Sequence, residues 1–194
     1  MSTLKQESGP FTFLKNSDAT VEVVNVKFLD DLHLRKCLNQ NLHPNYNSEQ
    51  EYLVNAAYRV DVTLKLTHGR NDPNPAFHTE LCTVPEGMLT DLASVPRALR
   101  WLVGRVGPHL EAAIVHDYMF SFWSGKFTKR IEKKYWKLAN KIFLKAMEVR
   151  GTKCITRYSA YLAVASFFGW IGWKNAHGMV IWYEPYGTSD NDDD

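Results

Sequence analysis

The chain is 194 residues long, 45% hydrophobic, 13% aromatic and 23% charged, with a formal net charge of +2. That composition excludes a disordered or collagen-like chain and suits one domain burying roughly 70% of the surface its unfolded chain exposes, with no need of a disulfide or structural metal. Cys37, Cys82 and Cys154 are far apart with no C-x-x-C spacing, which speaks against a zinc site and for a reducing compartment.

The start, MSTLKQESGPFTF, lacks the charged region, apolar run and small-residue cleavage site of a signal peptide. The expectation is a protein that stays in the cytoplasm of the cell that makes it or is packaged in a particle. The first half reads as strands. VEVVNVKF (21 to 28) is rich in β-branched residues, YRVDVTLKL (58 to 66) alternates Val60, Val62, Leu64 and Leu66 with polar neighbours, and FHTELCTV (77 to 84) is a third strand. The polar stretch 39 to 51 and HGRNDPNP (68 to 75) read as loops, as does the stretch holding Thr90 and Asp91.

Helical periodicity follows. Ser94, Val95 and Pro96 open a short helix through Trp101, because proline suits a first turn where no amide partner is needed. A second helix from near Pro108 places Leu110, Ala113, Ile114 and Asp117 on one apolar face. A third, about Ile131 to Val149, buries a stripe from Tyr135 to Met147 and is closed by Gly151. YSAYLAVASFFGWIGW (158 to 173) falls short of the roughly 20 apolar residues of a bilayer span and reads as a buried core helix. A closing strand over 179 to 183 follows, then the acidic tail TSDNDDD (188 to 194), expected to be disordered. The fold class is therefore α+β: one domain over 1–187, an antiparallel sheet from the N-terminal half packed on a helical C-terminal half.

Three places carry polar groups that packing alone does not call for: Thr90-Asp91, His116-Asp117 and Asn140. Neighbouring side chains on a helix point roughly 100° apart, so His116 and Asp117 suit two jobs around one centre. A histidine can activate water while an aspartate holds a cation; a hydrogen-bonded core pair is the competing reading.

The run TDLASVPR (90 to 97), then EAAIVHDYMF (111 to 120), then KLANKIFLKAM (137 to 147) resembles a phage- and prophage-encoded family of unknown function, over residues 84–147. More distantly, the order of loop, His-Asp helix, basic linker and facing helix resembles the phospholipase A2 superfamily. That resemblance implies His116 as the general base for water, Asp117 as a Ca2+ ligand with further oxygens from the Asp91 loop, and the residue at 140 as the group orienting the base. Two positions depart from the pattern. Asn140 stands where an aspartate is expected, and Phe120 where a tyrosine hydroxyl is expected. An amide oxygen accepts the imidazole N–H but supplies no charge to stabilise an imidazolium, which puts activity in doubt.

Arg130, Lys134, Lys137, Lys141 and Lys145 recur every three or four residues and form a basic stripe on the third helix, with Phe120, Phe122, Trp123 and Phe127 just before it. Such a stripe suits a solvated face, an anionic membrane or acidic partner, or, less well, a nucleic-acid phosphate track. Three functions stay open: a calcium-dependent acyl hydrolase of phage origin acting on lipid, a non-catalytic virion or accessory binding protein on the same scaffold, and a metal phosphodiesterase using Asp91, His116 and Asp117. No Walker loop, dinucleotide fingerprint or G-x-S-x-G elbow occurs.

Overall fold

A computed structural model describes residues 10–36, 52–69, 72–90 and 107–175. Within these described residues a 3₁₀ turn, Thr12–Asn16, precedes six strands: β1 Thr20–Phe28, β2 Leu34–Lys36, β3 Tyr52–Val54, β4 Tyr58–Thr67, β5 Ala76–Val84 and β6 Leu89–Thr90. Four helices follow: α1 Leu110–Trp123, α2 Lys129–Val149, α3 Cys154–Val164 and α4 Phe167–Asn175. The α+β class is as the sequence predicts, with the strands and helices segregated along the chain.

The strands form two antiparallel three-stranded sheets, ordered β1-β4-β5 and β2-β3-β6. The long sheet follows the hydrophobic alternation. Tyr58, Val60, Val62 and Leu64 of β4 are fully buried, whereas Arg59 is exposed, so one face of the central strand supplies the core. Its register with β1 shifts between Val23 and Asn25, the signature of a bulge. The loop into β5 is tied by Asp72, whose carboxylate accepts the amides of His68 at 2.8 Å and Asn74 at 3.0 Å.

Helix α2 lies between β1 on one side and α1 and α3 on others. Its end is a Schellman motif: Gly151 at φ 73° lets its own amide reach the Glu148 carbonyl and the Thr152 amide reach that of Met147. Helix α1 differs from the one-faced helix expected. Ala112, Ala113, Ile114, Val115, His116, Tyr118, Met119 and Trp123 are all buried, so it is enclosed nearly all round.

Three expectations need correction. Thr90 belongs to strand β6 rather than to a loop. The region 158 to 173 is two helices, not one, because Ser166 breaks it: its hydroxyl donates to the Ala163 carbonyl at 2.6 Å and accepts the Gly169 amide at 3.3 Å, ending α3 and starting α4. Nor is that region mostly core. Only Ala160, Val164 and Trp173 are buried within it, while Leu162, Phe167 and Phe168 are 65%, 72% and 76% exposed. The helix expected over 94–101, the loop over 39–51, the closing strand over 179–183, the acidic tail and Asp91 lie outside the described residues. Among the described residues, no helix is long and apolar enough to cross a membrane.

Candidate functional site

The site starts from two buried polar side chains on adjacent helices. His116 of α1 is 1% exposed and Asn140 of α2 is 2% exposed. They meet at 2.9 Å between Nε2 and Oδ1. The Asn140 amide nitrogen donates to the Val164 carbonyl at 3.3 Å, so its oxygen is the atom facing the imidazole. An amide oxygen only accepts, which makes Nε2 the protonated ring nitrogen and leaves a lone pair on Nδ1. Nδ1 is buried with no hydrogen-bond partner among the described residues.

Helical spacing builds the walls. Phe120, four residues after His116, lies 4.0 Å from the imidazole between ring centroids, and Phe143, three residues after Asn140, lies 4.7 Å from it. Trp173 of α4 meets Phe120 edge-on at 4.9 Å. Thus the position where a hydroxyl was sought holds a ring against the imidazole. Burial in this box pushes the His116 imidazole down to about 4, and the Asn140 hydrogen bond pulls weakly the other way. The ring is neutral at pH 7, with a lone pair of low basicity.

Asp117 is half-buried, not the largely buried group its apolar neighbours suggest. The Thr90 hydroxyl donates to its Oδ2 at 3.2 Å, which joins β6 to α1 beside the histidine. Among the described residues no three His, Cys, Asp or Glu side chains cluster as a metal site.

The basic stripe of α2 is partly folded inward. Lys134 donates to the carbonyls of Leu14 and Ser17, Lys141 to that of Val21 at 2.8 Å, and Lys145 pairs with Glu148 at 3.1 Å. Arg130 lies 3.7 Å from Asp18 at the surface. Lys134 and Lys141 tie α2 to the N-terminal segment around a hollow of about 130 Å³ lined by Leu14, Val21, Tyr135, Leu138 and three lysine stems.

Sequence reasoning missed the support behind Asn140. The Val164 carbonyl is the last of α3, and Gly169 of α4 sits directly against it: a Cβ on Gly169 would lie 2.0 Å from that oxygen and 2.5 Å from its carbon. Gly169, the first of two glycines inside FFGWIGW, was the available signal, since a glycine in an apolar run can mark a close backbone approach, although Gly172 beside it makes none. A second buried group, Glu132 at 2% exposure, ion-pairs with Lys174 and accepts the Gly125 amide at 2.7 Å, anchoring α4 to the start of α2. Gly169→Ala is accordingly expected to cost about 1–3 kcal/mol, the usual range for overpacking. It should also displace the Val164 carbonyl and loosen Asn140. Thermal unfolding checks the first effect, and the side-chain amide resonances of Asn140 in an NMR spectrum check the second. An unchanged Tm would mean that α4 shifts freely and does not brace the site.

Residues 74–164 are similar to a family whose model is described as a protein of unknown function (DUF1353). The matched stretch runs from the turn before β5 to Val164, and so contains His116, Asn140 and the carbonyl that holds the amide. No curated protein and no solved structure matches the chain significantly.

Proposed function

We propose that the protein is a phage-encoded, phospholipase A2-like acyl hydrolase whose orienting network is weakened. The observation that carries the reading is the buried His116–Asn140 pair, which fixes the imidazole in the tautomer that presents an unshared Nδ1 lone pair. A base of this kind takes a proton from water as the water oxygen attacks an ester carbonyl, and returns it to the departing alcohol as the acyl carbon releases it. Asn140 positions the ring but gives the imidazolium no compensating charge, so proton transfer is slow.

The donors beside the base fit a hard cation. The Asp117 carboxylate and the Thr90 hydroxyl that contacts it are oxygen ligands of the type Ca2+ takes. In this reading Asp117 would hold the ion, with Asp91 as the second acidic ligand. Ca2+ supplies positive charge for the oxyanion of ester hydrolysis when bound.

Calorimetric titration with Ca2+ tests the cation role. Binding is expected in the native protein and its loss in Asp117→Asn. An identical response in both would place any calcium elsewhere, the acidic tail being the first alternative.

The second reading, a non-catalytic virion or accessory protein, is favoured by a different observation: the Nδ1 atom is itself enclosed. Hydrolysis of a short-chain ester that disappears in His116→Ala distinguishes the two. No difference between those proteins would favour the binding protein.

A further inference from the structure

We propose that the hollow between α2 and the N-terminal segment binds a medium-chain carboxylate, with the alkyl chain inside and the head group on the lysines of its rim. The site stands apart from the His116–Asn140 pair, because the α2 residues that line it lie on a different side of the helix from Asn140. Its floor is apolar. Leu14, Ala19, Tyr135 and Leu138 are buried, and Val21 is half-buried. The one polar atom among these side chains, the Tyr135 hydroxyl, is already used, donating to the Phe11 carbonyl at 2.8 Å. A space of about 130 Å³ is close to the roughly 150 Å³ of a dry cavity that holds a benzene ring, so about six carbons fit.

The rim selects an anion. Lys134, Lys137 and Lys141 follow one another by three and four residues along one side of the hollow. Lys134 and Lys141 are fixed by backbone carbonyls, but a carbonyl accepts a hydrogen bond without cancelling a charge, and each ammonium carries three donors. Among the described residues no carboxylate pairs with any of the three. The segment's own acid, Asp18, is 96% exposed and lies 3.7 Å from Arg130 instead. Lys137 is exposed and makes no hydrogen bond or ion pair among the described residues, so its ammonium is free to meet a ligand at the rim. Burial draws Lys134 below its ordinary value, with Asp18 opposing this and Arg130 adding to it, and an arriving carboxylate would stabilise that ammonium. A phosphate track would use the lysines alone, whereas a carboxylate with an alkyl chain uses the lysines and the hollow together.

The test follows the methyl resonances of Leu14, Val21 and Leu138 by NMR as the full chain is titrated with sodium butanoate, sodium hexanoate or 1-hexanol. Saturable shifts are expected with hexanoate, at about fifteenfold higher affinity than butanoate, because each buried methylene is worth roughly fourfold. Lys137→Gln should weaken hexanoate about two- to fivefold, the span of an exposed ion pair, and leave 1-hexanol unchanged. Lys129→Gln, outside the lining, should change neither. Ala19→Leu should fill the space and abolish binding, and Val21→Phe serves where that variant fails to fold. Absence of saturation overturns the proposal, as does equal affinity for the two acids or full hexanoate binding in a folded, filled variant. Equal affinity for hexanoate and 1-hexanol overturns the selection of an anion. A short DNA duplex bound equally by the native protein and Ala19→Leu, with no saturation by hexanoate, would assign the lysines to phosphates. Ester release is not read by this titration, so the hydrolase reading can fail while this one stands.

Discussion

Stability is expected to fall by about 3 kcal/mol as the pH drops from near 6.5 to near 4, with His116 as the source. In the unfolded chain the imidazole takes up a proton near pH 6.5, whereas burial between Phe120 and Phe143 delays this in the folded protein to about pH 4. Within that window the unfolded state binds more protons, so stability rises with pH. Below it both states are protonated and the contribution is gone. Carboxylates act in a different window: Asp30 hydrogen-bonded to Arg59, and Glu148 bonded to Lys145, are held below their ordinary values, so what they contribute persists above about pH 4 and is lost below it. Urea unfolding across pH 4 to 7 for the native protein and His116→Gln isolates the histidine, because the variant retains every other titrating group. The native curve should slope upward and the variant's should be nearly flat by comparison. Parallel curves would mean that His116 opens to water and titrates normally.

The same burial explains which parts of the architecture the sequence could announce. Strand β4 alternates Val60, Val62 and Leu64 against polar residues because one of its faces meets the core, and a period of two is legible in ten residues. Strands β2, β3 and β6 hold three, three and two residues, too few to show any period, and their pairing depends on partners distant in the chain. Helix α1 hid its geometry for the opposite reason. Enclosed on nearly all sides, it has no single apolar stripe from which the positions of His116 and Asp117 could be told apart, and Asp117 proves the less buried of the two. That His116 faces Asn140 was implied by the family resemblance and not by any period in the sequence, since spacing along one helix says nothing about which helix packs against it. The Val164 carbonyl, Gly169 and Trp173 complete the setting only because Ser166 turns the chain back, a local hydrogen-bonding choice within an apolar run.

On the hydrolase reading proposed above, that setting points to what would limit His116 as a base. Asn140→Asp combined with Phe120→Tyr is expected to raise ester hydrolysis on anionic vesicles by a factor within the roughly 10² to 10⁴ that general-base catalysis provides. A carboxylate at 140 would face the Nε2 proton now held at 2.9 Å by a neutral amide, favour the imidazolium, and lift the histidine from about 4 toward neutral pH. Tyrosine at 120 would bring a hydroxyl to a helix position whose ring already packs at 4.0 Å from the imidazole. The change has a cost in the same place: the Asn140 amide that satisfies the Val164 carbonyl is lost, and leaving a buried acceptor unpaired costs about 1–3 kcal/mol. A lower Tm should therefore accompany the gain in rate. The pH dependence supplies a readout free of turnover, since a raised imidazole flattens or reverses the slope of stability between pH 4 and 6.5. His116→Ala in the double variant must abolish the new activity, or the activity belongs to a contaminant. Should the double variant fold, show the altered slope, bind calcium and still release no acyl chain, the base will have been restored without a reaction to serve, and the non-catalytic binding protein becomes the better account.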